Sequence, residues 1–265
     1  MLCAQAFPMN SIRSTVTRLV LLAAACASVA FPAAVSASDY EEWSAETRMS
    51  LGFRVNGDAV RSLLPENWTV AAVTEAPEQV NLTLTFMDRH VILDPQGQPV
   101  GTGSSRYMVM SVLARNAQGE NSILIINGIS PEGPGAYEVY QPAVVAMAER
   151  SLSGQDDSNA RVEENWEMVA DSGDAASLTL RYQQAVPTRR QSSVVIRSGR
   201  HTDYTRAYAI DQANDALGVP GAADSRIESF SFSAEGPLFS RLFDGNEVVT
   251  GVTSTPWYNR EIAVP

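Results

Sequence analysis

The sequence predicts an α+β chain that is mainly antiparallel β, folded as a barrel or a sandwich with a few peripheral short helices. Three observations carry this. Apolar and polar residues alternate in short runs, turn-forming clusters separate those runs, and helical periodicity is confined to brief segments. The plainest run is Val80–Phe86, where Val80, Leu82, Leu84 and Phe86 share one face and Asn81, Thr83 and Thr85 the other. It continues through MDRHVIL to the turn Asp94-Pro95-Gln96-Gly97. Ser105–Arg115 and Ile123–Ile129 are apolar on both faces, and Ala117-Gln118-Gly119-Glu120 joins them as a hairpin. Further strands are predicted at Arg48–Val55, Arg161–Val169, Leu178–Gln184, Ser192–Ser198, Arg226–Ser233 and Glu247–Thr253. Helices are expected at Gly57–Leu64, Gln141–Leu152 and Gly236–Phe243, with Tyr208–Leu217 a further helical candidate. Asn56-Gly57-Asp58 suits a helix start and Pro65 a stop. Ser153–Asn159 reads as a loop. A barrel of such strands either fills its interior with side chains or encloses a small ligand.

The first residues read as an export signal instead of a fold element. Arg13 and Arg18 precede the apolar stretch Leu19–Ala30, and Val35-Ser36-Ala37 offers small residues for cleavage just before the first acid, Asp39. The domain reading is therefore a signal over 1–37 and a single domain over 38–265, located in the periplasm or secreted. A rival is lipid anchoring through Cys26. No later apolar run is long enough for a membrane-spanning helix. All nineteen basic residues are arginine, against thirty acids, for a net charge of −11. Loss of Arg13 and Arg18 without any acid makes it −13. Such a charge argues against a nucleic-acid partner, since a phosphate backbone needs a basic stripe. Cys3 and Cys26 both lie in the signal, so residues 38–265 contain neither thiol nor lysine.

One motif near each end carries a family resemblance. The first is Phe53-Arg54-Val55-Asn56-Gly57-Asp58-Ala59-Val60-Arg61-Ser62-Leu63-Leu64-Pro65-Glu66-Asn67-Trp68, in which a strand ends in aromatic-Arg and a short helix runs to aliphatics before Pro-Glu. The second is Gly236-Pro237-Leu238-Phe239-Ser240-Arg241-Leu242-Phe243-Asp244, leading into Glu247-Val248-Val249 and a last strand ending Glu261-Ile262-Ala263-Val264-Pro265. Together they resemble the acetoacetate decarboxylase superfamily. The resemblance implies a closed or cone-shaped antiparallel barrel around a cavity, with helices outside. It also implies a Schiff-base lysine whose amine is made nucleophilic by a neighbouring cation. Here the corresponding segment, Asn127–Gln141 (NGISPEGPGAYEVYQ), has no lysine, and Thr83 stands where the family carries an acid. Arginine is no substitute, because a guanidinium does not deprotonate in proteins.

Other chemistry is sparse. Asp88 and His90 share a strand face by alternation and form the nearest thing to an acid–base pair. Glu132, in the segment matching the family's lysine region, is a further candidate, though Pro131 and Gly133 beside it also suit an exposed turn. Arg48 and Arg54 alternate on one face of the first strand and Arg106 opens an apolar one. Arginines inside a closed cavity need an anion, from the protein or from a ligand. Trp257 and Tyr258, after Pro256, are candidates to line a cavity or to close the barrel. No metal motif and no phosphate loop occur, so neither metal nor cofactor is expected.

The sequence therefore supports a lysine-free exported barrel that binds a small organic ligand, a carboxylate or an apolar molecule. Its rivals are a non-Schiff-base lyase, hydratase or hydrolase using Arg, Glu and His, and an accessory or structural protein with a filled barrel. Homo-oligomers are left open. Schiff-base chemistry needs a primary amine, and the only one available without lysine is the chain's own α-amino group. Incubation with acetoacetate and borohydride should give no adduct on any residue between Glu42 and Ala263, read by intact mass and peptide mapping. A stoichiometric adduct inside the barrel would overturn the argument.

Overall fold

Seven strands close on themselves, and a second sheet lies against part of their outer face. The computed structural model describes residues 40–71, 80–154 and 160–263. The expected signal with Arg13, Arg18 and Cys26, and residues 155–159 of the predicted loop, lie outside the described residues. In chain order the elements are β1 (Glu42–Arg54), α1 (Gly57–Leu63), β2 (Trp68–Val70), β3 (Leu82–Leu93), β4 (Ser105–Asn116), β5 (Asn121–Ser130) and β6 (Gln141–Ser153). There follow β7 (Arg161–Ala170), β8 (Ala175–Gln183), β9 (Thr188–Ser198), β10 (Thr205–Gly218), β11 (Ile227–Glu235), α2 (Phe239–Leu242) and β12 (Val248–Ala263). The barrel runs β5-β9-β10-β12-β1-β3-β4, and β4 pairs back onto β5 to close it. Its pairings are antiparallel except β5 with β9, which run parallel at Ile123–Ile125. The second sheet is β6-β7-β8-β11, joined to β5 through Gln141 and Pro142.

Alternation decides what faces where, and it places the apolar side outward. On β1 the residues Ser44, Glu46 and Arg48 point into the barrel, whereas Met49, Leu51 and Phe53 point out and are fully buried. The apolar face of β3, Leu82, Leu84 and Phe86, also points outward into the same core. The second sheet covers that face. Phe53 lies 4.9 Å from Phe232, and Phe86 lies 5.6 Å from Trp166, ring centre to ring centre. Each such buried side chain contributes about 1.5–3 kcal/mol, so most of the apolar stabilisation lies between barrel and sheet. This explains why β4 is apolar on both faces: Met108 and Met110 join that core, while Tyr107 and Val109 face inward.

Two expectations are corrected. Gln141–Leu152 is not a helix but strand β6, and Tyr208–Leu217 belongs to strand β10. The run AVVAMAERSL contains good helix formers, but pairing with β7, Arg150 opposite Glu164 and Ala148 opposite Trp166, outweighs that weak preference. Tyr208 and Ile210 alternate with Ala209 between β9 and β12, a two-residue period that a helix would break. The first helix forms as expected. Asn56 accepts hydrogen bonds from the backbone N–H of Asp58 and Ala59, both at 3.1 Å, and caps α1. The predicted helix at Gly236–Phe243 is shorter, only Phe239–Leu242. Buried Asp174 accepts from the Leu238 and Phe239 N–H groups at its start.

After β5 the segment 131–140 carries Tyr137 and Tyr140 over the barrel interior. Glycines permit the approach. A Cβ on Gly128 would lie 2.2 Å from the Met108 carbonyl oxygen and 2.7 Å from Tyr140 Cδ1. One on Gly135, whose φ is +63°, would lie 2.6 Å from Tyr140 Cδ2. Ser198 Oγ donates to the Tyr137 carbonyl at 2.7 Å and holds the segment to β9. Gly128→Ala should therefore lower stability by about 1–3 kcal/mol, measured by chemical denaturation. Gly57→Ala, where nothing lies within 4 Å, should leave stability unchanged or raise it by up to ~1 kcal/mol. Equal stability of Gly128→Ala and the parent would mean that Tyr140 is not seated as described.

Candidate functional site

The inward-facing residues of all seven barrel strands and the 131–140 segment enclose a cavity of about 220 Å³. Its walls combine four arginines, Arg48, Arg89, Arg206 and Arg260, with five tyrosines, Tyr107, Tyr137, Tyr140, Tyr208 and Tyr258. Glu42, Glu132 and Ser130 complete the polar lining. A more open hollow of about 410 Å³, walled by Ile92, Val100, Ser105 and Pro131, shares Glu42, Arg89 and Glu132 with the cavity. The two spaces meet across those three side chains.

Glu46 organises the interior. Its side chain is fully buried, and Arg48 approaches Oε2 through Nε at 2.7 Å and Nη2 at 2.6 Å. Arg260 Nε lies 2.9 Å from Oε1, Arg89 Nε lies 3.4 Å from the same oxygen, and Ser44 Oγ donates to it at 2.6 Å. Register explains the convergence: on β1, Glu46 stands between Tyr258 of β12 and Arg89 of β3, and Ser44 stands opposite Arg260. Burial pushes the Glu46 carboxyl up, but Arg260, Arg48 and Arg89 pull harder and hold it at about 2. Arg89 also pairs with Glu42. Arg260 donates from Nη2 to Tyr107 Oη at 3.0 Å, and the Arg48 guanidinium stacks 3.4 Å above the Tyr258 ring.

The phenols add no charge. Tyr137 and Tyr208 share a hydroxyl–hydroxyl hydrogen bond of 2.6 Å. Burial, reinforced by Tyr208, drives the Tyr137 hydroxyl far above its ordinary range; burial raises Tyr140 and Tyr258 as well. The cations are less completely matched. Arg48 Nη2, Arg89 Nε and Arg206 Nε are buried with no aligned hydrogen-bond acceptor. For Arg48 and Arg89 a Glu46 oxygen is still near. Among the described residues Arg206 has the exposed Glu41, 3.8 Å from its Nη2, and a more distant pull from Glu42. Its side chain is 14% exposed, so this half-buried cation lacks a close, buried counter-charge of its own.

The sequence candidates divide by position. Arg48 and Tyr258 line the cavity, as does Glu132 at its rim, where it is exposed. Arg54 shares the Arg48 face of β1 but sits exposed at the strand's end. Asp88, His90 and Arg106 meet on the outer surface: Asp88 lies 3.0 Å from Arg106 Nε and 3.5 Å from His90 Nδ1. Trp257 points outward beside Arg189, its ring 5.6 Å from that guanidinium, because β12 bulges next to Pro256 and turns Tyr258 inward. Arg89, Arg206 and Arg260 were not among the sequence candidates. Each sits at an inward position of a strand, two residues from another inward residue such as Met87, Tyr208 or Ile262, and that alternation is the signal that could have found them.

The solved structures similar to this one include the following two. The first is an acetoacetate decarboxylase-like enzyme from Sphingomonas wittichii RW1, with a TM-score of 0.49 and 9% identity over 85% of this chain and 91% of that chain. The second is the enduracididine biosynthesis enzyme MppR, complexed with the condensation product of pyruvate and imidazole 4-carboxaldehyde. Its TM-score is 0.48, with 11% identity over 85% of this chain and 88% of that chain. No family model matches the chain, and no curated relative does.

Because the Glu46 carboxyl is held at about 2 instead of 4.5, its ionised form favours the folded state. That contribution, about 3 kcal/mol, is complete above pH ~4.5 and is lost as pH falls towards ~2. Denaturant unfolding of the parent should weaken across that window. Glu46→Gln should be less stable at pH 7 and show a flatter acid limb. An identical acid limb in the variant would show that Glu46 is not gripped as described.

Proposed function

We propose that this barrel binds a small organic anion in its interior, outside the cytoplasm, and that it does so without covalent amine chemistry. The observation that carries the reading is Arg206, a half-buried guanidinium facing a cavity with its buried Nε unpartnered. Charge buried without a counter-ion is costly, and such cations are normally paired or bound to a ligand. Tyr137 and Tyr208, protonated and adjacent, can hydrogen-bond the same anion. At ~30 Å³ per water the cavity's 220 Å³ has room for about seven waters, which sets the ligand's size.

The export signal in the sequence supports the location. The motifs at Phe53–Trp68 and Gly236–Asp244 support kinship with acetoacetate decarboxylase-like barrels in which the Schiff-base lysine is gone. The acid–base enzyme is the second reading. It rests on Glu132, a rim carboxylate between the cavity and its open hollow, where it can exchange protons with solvent.

Calorimetric titration of short carboxylates into the full chain tests the first reading. Arg206→Met should weaken binding by ~1.5–3 kcal/mol. Without ligand, the same variant should melt at an equal or higher temperature, because the buried charge is gone. Unchanged affinity, or a lower melting temperature without ligand, would remove Arg206 from the site. Turnover of a bound carboxylate that Glu132→Gln abolishes would make the protein an enzyme.

A further inference from the structure

The cavity's charge is laid out at two ends, and this specifies the ligand further. Resting on the anion-binding reading, we propose that the ligand is a short dicarboxylate of four to six carbons. One carboxylate would be held by Arg206 and the other by Arg48.

Position separates the two ends. Glu42 stands opposite Ile262, and Ile262 stands opposite Tyr208, so Arg206 belongs to the Glu42 end of the barrel. There the Arg206 cation is felt by Tyr208, Glu42, Tyr204 and Tyr137. Arg48 lies six residues further along β1, which at ~3.3 Å per residue is about 20 Å of strand. It stacks on Tyr258, whereas the Arg89 guanidinium reaches from Glu46 to Glu42 and lies between the two ends. The strands β10 and β1 are also separated by β12, which adds about 10 Å of sheet width between their backbones. Arginine side chains reach inward from both places and line the same cavity. A single carboxylate has two oxygens on one carbon and cannot meet N–H groups at both ends.

Charge balance agrees. Four buried or nearly buried guanidiniums face two carboxylates that are themselves largely buried, Glu42 and Glu46. The tyrosines are uncharged, and both Glu132, on the cavity's rim, and Glu41, 3.8 Å from Arg206, are exposed to solvent and screened. The surplus is two positive charges, and a dianion neutralises both. The volume of 220 Å³ admits a ligand of roughly eight to ten heavy atoms, taking each as somewhat smaller than a water's ~30 Å³ share.

The test is calorimetric titration of the full chain with succinate, glutarate and adipate, set against butyrate and inorganic phosphate. At least one dicarboxylate should bind about tenfold more tightly than butyrate and than phosphate, as a second charged hydrogen-bonded end supplies. Arg206→Gln and Arg48→Gln should each abolish that preference while circular dichroism shows the parent fold. If Arg48→Gln does not fold, Arg206→Gln alone decides. Butyrate or phosphate binding as tightly as the best dicarboxylate would overturn the dicarboxylate assignment and leave the anion site standing. Retention of the preference in Arg206→Gln would overturn the two-ended arrangement. No heat and no rise in melting temperature with any of the five anions would sink both.

Discussion

One buried carboxylate makes the interior of this barrel possible. Three guanidiniums converge on Glu46 from three adjacent strands, β12, β1 and β3. Without it they would repel one another in a space that water screens poorly. With it, Arg260 is fixed against Tyr107 and Ser44, and Arg48 against Tyr258. These contacts in turn set the walls that the remaining arginines face.

A polar interior forces the hydrophobic core elsewhere. The outward faces of β1, β3 and β4 carry Met49, Leu51, Phe53, Leu82, Leu84, Phe86, Met108 and Met110, and the second sheet supplies Trp166, Leu178, Leu180 and Phe232 against them. The second sheet is thus a structural requirement of a barrel whose inside is charged. Where its own interior becomes polar, the groups are satisfied locally. Glu164, fully buried, accepts from Arg150, Tyr182 and Trp166, and Tyr182 reaches Ser254 of the barrel. That cluster is closed and has no cation left over, which sets it apart from the one around Arg206.

Strand-rich architecture was legible in the sequence because alternation and turn chemistry are local. Leu82–Phe86 of the run predicted from Val80, with Ser105–Arg115 and Arg161–Val169, fall within strands, and the Asn56 cap and Pro65 bracket the first helix. What alternation cannot say is which face looks inward. Leu82 and Phe86 read as facing a core, which is correct, but that core lies outside the barrel. The same ambiguity hid Arg89, Arg206 and Arg260, since an arginine two residues from a tyrosine or isoleucine looks like a rim position until closure is known. Asp88 and His90 do meet, as their spacing implies, yet on the outer surface. Helix propensity misread β6 because Ala, Met, Glu and Arg are helix formers only until a neighbouring strand offers a ladder.

The absence of lysine gives the cavity a fixed charge. An ammonium that is buried beside other cations can shed its proton and become a nucleophile. Guanidinium groups do not, and at Arg260, although burial weakens its grip on the proton, Glu46 and the neighbouring phenolic groups outweigh that effect and strengthen it. Tyr137 and Tyr140 are pushed the opposite way from reactivity, holding their protons well beyond the ordinary phenol range. The rim carboxylate Glu132, touching both the cavity and its open hollow, is the lining group best placed to exchange a proton with solvent.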